Sequence, residues 1–287
     1  METKRGMDIP RFFAVLQVFN IFWESFLMEK GGGGKAMIVD SITGIKKEEY
    51  IKEQNELIRK INLNNTVDLE KIHLVAGVDL AYWRDENGGE QAVCCIVVLD
   101  YKTKNTVEKV SCAQKVEVPY IPGCLAYREL PVFLKAYRKL VNKPEVIFFD
   151  GNGYLHPRHM GLATHAGILL NQATVGVAKT YYNVGDGDFI MPEDSAGAWT
   201  DIVVGNEVYG RVLRTHAGVK PVFVSVGNKV DLATAARMTI LLTGKESHIP
   251  LPTRLADLMT HEERRRLNNS DCMEDKKISL GGETTGI

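Results

Sequence analysis

The feature that most limits the fold of this chain is a change of hydrophobic period near residue 124. Before it, Leu74 to Trp83, Ala92 to Tyr101 and Thr106 to Val118 are three runs rich in β-branched and aromatic residues. They are separated by Asp85 to Gly89 and Lys102 to Asn105, which carry turn chemistry. Connections that short join antiparallel neighbours. After it, Leu130, Phe133, Leu134, Tyr137, Leu140 and Val141 share one face of a helix over Cys124 to Val141, with Pro131 an early helix position or a kink. A short apolar run from Val146 to Phe149 then ends at Asp150, and a helix near Gly161 to Asn171 leads to a buried run at Thr174 to Ala178. Strand, helix, strand implies a parallel crossover. Strands at Glu207 to Arg214 and Val222 to Val226, a helix at Asp231 to Leu242 and a terminal helix at Leu251 to Leu267 follow. The order predicts an α/β fold, one mixed β-sheet flanked by helices, entered through an amphipathic helix from Glu48 to Asn62.

Composition adds exclusions. A net charge of -1 gives the whole molecule no attraction for phosphate, so any nucleic-acid contact must come from local basic groups. Cys94, Cys95, Cys112, Cys124 and Cys272 are odd in number and form no C-x-x-C pair, which argues against a disulfide framework or a cysteine zinc site and for a reducing compartment. Residues 1–45 read as an extension: basic Lys4, Arg5 and Arg11, an apolar stretch from Phe12 to Met28 broken by Gln17, Asn20, Glu24 and Ser25, then Gly31 to Gly34. The interruptions fit an amphipathic or poorly ordered segment better than a membrane span or a signal peptide, and no membrane partner is expected. Residues 46–267 form the expected single domain, with residues 268–287 a polar tail.

Three carboxylates fall where this order would gather them: Asp79 in the first strand, Glu129 early in the first long helix, and Asp150 at the carboxyl end of the fourth strand. Asp79 follows Val75 to Val78 and Asp150 follows Ile147 to Phe149, so both charges border a core where an unpaired carboxylate is costly. A hard divalent cation would neutralise them, Mg²⁺ best, because it takes oxygen ligands and leaves room for phosphate oxygens. The plainer reading gives each a helix cap, a turn or an arginine partner. His156, His159 and His165 have no recognised zinc spacing, and loop hydrogen bonds, phosphate contact or proton transfer suit them better. Asp150-Gly151-Asn152-Gly153 makes a tight connection whose amides could face an anion, although many such turns hold glycines for steric reasons alone. Pro119-Tyr120-Ile121-Pro122-Gly123 is a stiff loop in which Tyr120 either packs inward or stands out as a wedge that unstacks bases.

Together these segments resemble the endonuclease V family, inosine-directed nucleases with a ribonuclease H-like fold. The likeness spans most of residues 74–258. It rests on Gly77-Val78-Asp79, the Pro119 to Gly123 loop, Tyr127-Arg128-Glu129, Asp150 to Gly153 with His156-Pro157-Arg158, Gly176-Val177-Ala178-Lys179, and Pro252-Thr253-Arg254 leading to Asp257. The resemblance implies that Asp79, Glu129 and Asp150 bind Mg²⁺, for which Mn²⁺ can substitute, with Asp257 at a fourth position near the metal. It makes Tyr120 a wedge, places Lys179 and His156 near the scissile phosphate, and sets Gly151 and Gly153 beside the inosine pocket. Pro122, Gly123, Arg128 and Asn152 join the substrate-binding set as members of the same motifs. Asn228 departs from the pattern, standing where a His is common in the family.

The activity so implied is metal-assisted hydrolysis of the second phosphodiester bond 3′ to inosine, leaving 3′-hydroxyl and 5′-phosphate ends. Asn152 gives the motif a form resembling eukaryotic members, which act on RNA, whereas bacterial members act on DNA. Single-stranded inosine RNA is therefore the expected substrate, with deoxyinosine DNA second, and the expected state is a monomer in the cytoplasm or the nucleus, including the nucleolus. Two other classes compete: a nucleic-acid-binding module of the same fold that hydrolyses nothing, and a metal enzyme acting on a small phosphorylated molecule. The first would be favoured by loss of a carboxylate, and the second leaves the Tyr120 loop without a purpose.

Overall fold

The computed structural model describes the backbone of residues 35–279 and the side chains of residues 46–268. The expected Phe12 to Met28 extension lies outside the described residues, as does the end of the polar tail. The chain divides between Gly44 and Ile45, and everything that follows, apart from residues 35–44 of the first helix, belongs to the second unit. Helix α1 (Lys35–Leu57) ends in a 3₁₀ turn (Ile58–Lys60), five residues short of the Asn62 expected from its spacing for the α-helix proper.

Strands β1 (Leu74–Arg84), β2 (Glu90–Asp100) and β3 (Thr106–Lys115) form the antiparallel meander that their short turns require. Helix α2 (Leu125–Lys139) follows, with Pro131 inside it, then β4 (Val146–Asp150), α3 (Leu162–Leu170) and β5 (Ala173–Ala178). β6 (Trp199–Val204), β7 (Glu207–Leu213), β8 (Val222–Asn228), α4 (Leu232–Leu241) and α5 (Leu251–Ser279) complete the described residues. All eight strands lie in one sheet ordered β3-β2-β1-β4-β5-β8-β7-β6, parallel between β1, β4 and β5 and antiparallel elsewhere. This is the mixed sheet that the element order implied, in the ribonuclease H-like form expected from the family resemblance.

Side chains alternate across the sheet into two cores. Val75, Val97, Phe148, Val175 and Val224 pack with Ala235, Met238 and Ala256 beneath α4 and α5. Ala76, Ile96, Ile147 and Phe149 pack with Leu130, Phe133 and Ala163 beneath α2 and α3. β2 is buried on both faces for this reason, which is why it reads as a continuous apolar run. α5 crosses β1 at Gly77, where a Cβ would lie 2.0 Å from the Pro252 carbonyl carbon, so only glycine admits this approach. That contact fixes the start of α5 over the first half of β1 and brings the next turns of the helix to Asp79.

Candidate active site

Parallel pairing sets Val78 opposite Phe149, and one step further along both strands stand Asp79 and Asp150. Adjacent strands lie about 4.8 Å apart, so the two carboxylates face each other where apolar burial ends. α5 presents Thr253, Ala256 and Thr260 to the sheet, all at most 1% exposed, and this rotation brings Asp257 alongside. Carboxylate oxygens of Asp79, Asp150 and Asp257 all lie within 4.8 Å of one another, the one such cluster of potential metal ligands among the described residues. Two further groups steady it. The Thr260 hydroxyl donates to Asp79 Oδ2 at 3.2 Å, and Lys179 Nζ sits 2.6 Å from Asp150 Oδ2 and 3.6 Å from Asp257 Oδ1.

The electrostatics are those of a site short of positive charge. Burial and then the Asp150 charge push the Asp79 carboxyl up to about 7. Burial also raises Asp150, against the pull of the Lys179 ammonium. Burial is the largest influence on Lys179 and would lower it, but the hydrogen bond with Asp150 together with the charges of Asp150, Asp257 and Asp79 holds it above its ordinary value. Ligand oxygens around Mg²⁺ at about 2.1 Å sit about 3 Å apart when adjacent and about 4.2 Å when opposite. An all-oxygen, partly buried set already within 4.8 Å fits such a cation after small side-chain rotations.

Glu129 is placed beside this cluster rather than in it. Its Oε1 accepts from the Tyr82 hydroxyl at 2.9 Å, and burial pushes its carboxyl up to about 7, with the Asp79 and Asp150 charges adding to the effect. Arg128 is turned into the protein: its guanidinium is buried, pairs with Glu90, donates to the Val118 carbonyl and lies over the Tyr82 ring. His156 also has an internal role. Its Nδ1 accepts from the backbone N–H groups of Arg158 and Met160, so Nε2 carries the proton and donates to the Gly123 carbonyl at 3.1 Å. Burial lowers His156 to about 4, so the ring is neutral with both nitrogens engaged inside the protein. His159 stacks on Tyr154 and His165 lies buried edge-on to Tyr127, so the three histidines do not converge on a zinc ion.

The two loops flanking the cluster are distinct in kind. Ile121 is buried against Cys124 and Tyr127, while Tyr120 beside it is 65% exposed, which removes the inward-packed reading of that ring. Gly123 adopts φ +76°, a conformation that favours glycine and turns the chain from Pro122 into α2. Across from it, Gly151 to Gly153 lie flat on the sheet: Gly153 donates to Ser225 Oγ at 2.8 Å, and a Cβ on Gly176 would lie 2.5 Å from the Gly153 nitrogen. Asn152 Oδ1 is buried and finds no hydrogen-bond partner among the described residues. Asn228 stands well apart, paired with Thr174 at the opposite end of β5, where it accepts from Asn62 N–H and donates to the carbonyls of Gly167 and Gln172. Its role is to join three segments, and the family's usual His is not needed for that.

A ribonuclease H-like sheet carrying acidic residues on β1, β4 and a crossing helix defines a metal-dependent nuclease. A family model described as Endonuclease V matches residues 55–258. The endonuclease V of Bacillus thuringiensis subsp. konkukian is 53% identical over 220 residues, which make up 77% of this chain and 93% of that protein. The crystal structure of the Bacillus subtilis endonuclease V superposes with a TM-score of 0.76 at 46% identity, covering 78% of this chain and 94% of that one. A Ciona intestinalis endonuclease V, crystallised with a 24mer DNA containing an inosine followed by a ribo-adenosine, superposes with a TM-score of 0.67 at 29% identity over 77% of this chain and 99% of that one. The chain belongs to the endonuclease V family, hydrolases that cleave phosphodiester bonds.

Proposed function

We propose that this chain is an inosine-directed endonuclease that hydrolyses the second phosphodiester bond 3′ to the base. The observation that carries the reading is the Asp79, Asp150 and Asp257 cluster, flanked by the Tyr120 and Gly151 to Gly153 loops, on the fold of a relative crystallised on inosine-containing DNA. Asp79, Asp150 and Asp257 would hold a divalent cation, Mg²⁺ with Mn²⁺ able to substitute. Glu129 would join through Oε2, because Tyr82 engages Oε1 and so orients the carboxylate. When bound, the cation supplies activation of a water molecule and neutralisation of charge on the leaving oxygen. Lys179 then exchanges its carboxylate partners for a phosphate oxygen, and the buried, unpaired Asn152 Oδ1 offers an acceptor to a donor on the flipped base.

The expectation of an RNA substrate rested on Asn152 alone. Relatives at 46% and 53% identity are bacterial and the Ciona protein is at 29%, which favours deoxyinosine in DNA as the substrate. The free thiols of Cys94, Cys95, Cys112 and Cys124 suit a reducing compartment inside the cell. Purified protein with Mg²⁺ is incubated with single-stranded DNA and RNA, each with and without one inosine. Cleavage confined to the inosine strands, with DNA cut at least as fast as RNA, is the expected result. Equal cutting of strands lacking inosine would remove the base specificity, and RNA cut tenfold faster would reverse the sugar preference.

Tyr120 gives a sharper test. A wedge matters most where a base must leave its stack, a step that costs a few kcal/mol. Tyr120→Ala should lower cleavage of duplex deoxyinosine by about tenfold or more while single strands lose far less. The ring is mostly exposed, so thermal stability should change by less than about 0.5 kcal/mol. Equal losses on duplex and single strand would dismiss the wedge.

A further inference from the structure

Gln54 lies in α1, with no chemistry in its neighbourhood of sequence, yet its side chain is fully buried. A buried amide demands partners for both ends. Its Nε2 donates to the Gly123 carbonyl at 3.1 Å, and its Oε1 accepts from Arg158 Nε at 2.6 Å. Arg158 Nη2 in turn donates to the same Gly123 carbonyl at 2.7 Å, and His156 Nε2 approaches it at 3.1 Å. Gln54, Arg158 and Gly123 therefore close a ring of hydrogen bonds in which each member is held by the other two. Three donors converge on one carbonyl, and the residue that owns it ends the loop bearing Tyr120.

The ring joins three separate stretches of chain. Gln54 belongs to α1, which is clamped to α2 by the Tyr50 and Tyr127 rings stacked 3.9 Å apart and by Tyr127 donating to the Tyr50 carbonyl. Gly123 belongs to the Tyr120 loop. Arg158 and His156 belong to the segment that begins as Gly151, Asn152 and Gly153. The exposed ring of Tyr120 has little packing of its own, so its position relative to the base-bordering loop comes from the backbone between Ile121 and Gly123, and that backbone is fixed by this ring.

We infer that Gln54 is a positioning residue for the proposed reaction: through Gly123 and Arg158 it sets the distance between the Tyr120 wedge and the Gly151 to Gly153 loop, and so governs base extrusion from duplexes. This rests on the inosine-nuclease reading, and it assigns a role to a helix that contributes no group to the carboxylate cluster. Gln54→Glu is nearly isosteric and keeps the acceptor for Arg158, but it replaces the donor to Gly123 with a second acceptor facing a carbonyl.

The test is a double-mutant cycle on the full chain with Mg²⁺. Gln54→Glu should lower kcat/KM on duplex deoxyinosine by about tenfold, equivalent to about 1.4 kcal/mol, and leave single-stranded cleavage within about twofold. In a Tyr120→Ala background the same substitution should cost less than about twofold on either substrate, because the group it acts through is gone. Equal losses on duplex and single strand, or an undiminished loss without Tyr120, would overturn the inference. Arg158→Lys, which cannot bridge two partners in one plane, is the second variant should Gln54→Glu not fold, and the same pattern is expected of it. If the wild type cut no inosine strand at all, the proposed function would fall instead. The coupling would then be read from hydrogen exchange, which Gln54→Glu should accelerate in residues 120–124 and 151–156 together; acceleration in neither loop would refute it.

Discussion

Asp150→Asn is expected to reduce cleavage of an inosine strand by about a thousandfold or more at saturating Mg²⁺, with the fold and strand binding retained. Asn keeps the shape and one oxygen but removes a full charge from a cluster whose function is to concentrate negative charge. It also takes the charge from the 2.6 Å partner of Lys179, leaving the ammonium with Asp257 at 3.6 Å as its charged partner. Asp257→Asn should act differently. Asp257 sits on a helix and is more exposed than Asp150, 31% against 17%, so its loss should first raise the Mg²⁺ concentration needed for half-maximal rate. Single-turnover rates across an Mg²⁺ titration separate the two effects. Asp150→Asn turning over within tenfold of wild type would take Asp150 out of the metal set.

The second large effect is on stability and its pH dependence. Asp79 titrates near 7 in the folded chain and near 4 when unfolded, so the metal-free fold binds the extra proton between those values. A raised carboxyl gives stability that is fully present below about pH 4 and lost as pH rises through about 7. A cation that binds the ionised form reverses this loss. The rise in Tm on adding Mg²⁺ should therefore be larger at pH 8 than at pH 5.5, where protons compete for the same oxygens. Asp79→Asn should stabilise the metal-free protein at pH 8 by about 1–3 kcal/mol, since one pKa unit is about 1.4 kcal/mol, while abolishing cleavage. It should do little below pH 4. Melting curves at the two pH values, with Mg²⁺ or EDTA, provide the measurement. An Mg²⁺ shift equal at both, or a destabilised Asp79→Asn, would contradict the assignment.

Much of this architecture is legible in the sequence because its signals are local. β1 and the helices α2, α3 and α4 follow hydrophobic period, and Asp79 and Asp150 stand out as charges that end apolar runs. β6 was not legible: Trp199 to Val204 is an edge strand of mixed exposure whose Thr200 and Asp201 look like loop residues. Asp257 has no local signal either, since it lies in a helix of mixed composition, and only the family resemblance pointed to it. Two of the expected site residues are turned inward for one shared cause. Arg128 and His156 have the chemistry to meet a phosphate, but burial and backbone partners, set by residues distant in sequence, commit them to the interior. Gln54 and Thr260 were missed for the converse reason, because a polar residue on an amphipathic helix reads as exposed until its neighbours are known.

The docking of α5 on β1 at Gly77 also bears on when the molecule becomes able to cut. Asp79 and Asp150 are translated well before Asp257 and Thr260, and the contact from Thr260 back to Asp79 spans 181 residues. A nascent chain that has emerged only through β8 carries two of the clustered carboxylates but neither the third nor the helix that covers that face of β1. Such a chain lacks the Asp257 carboxylate and the Thr260 hydroxyl that complete the cluster, so the docking of α5 on β1 is the step that assembles the full site.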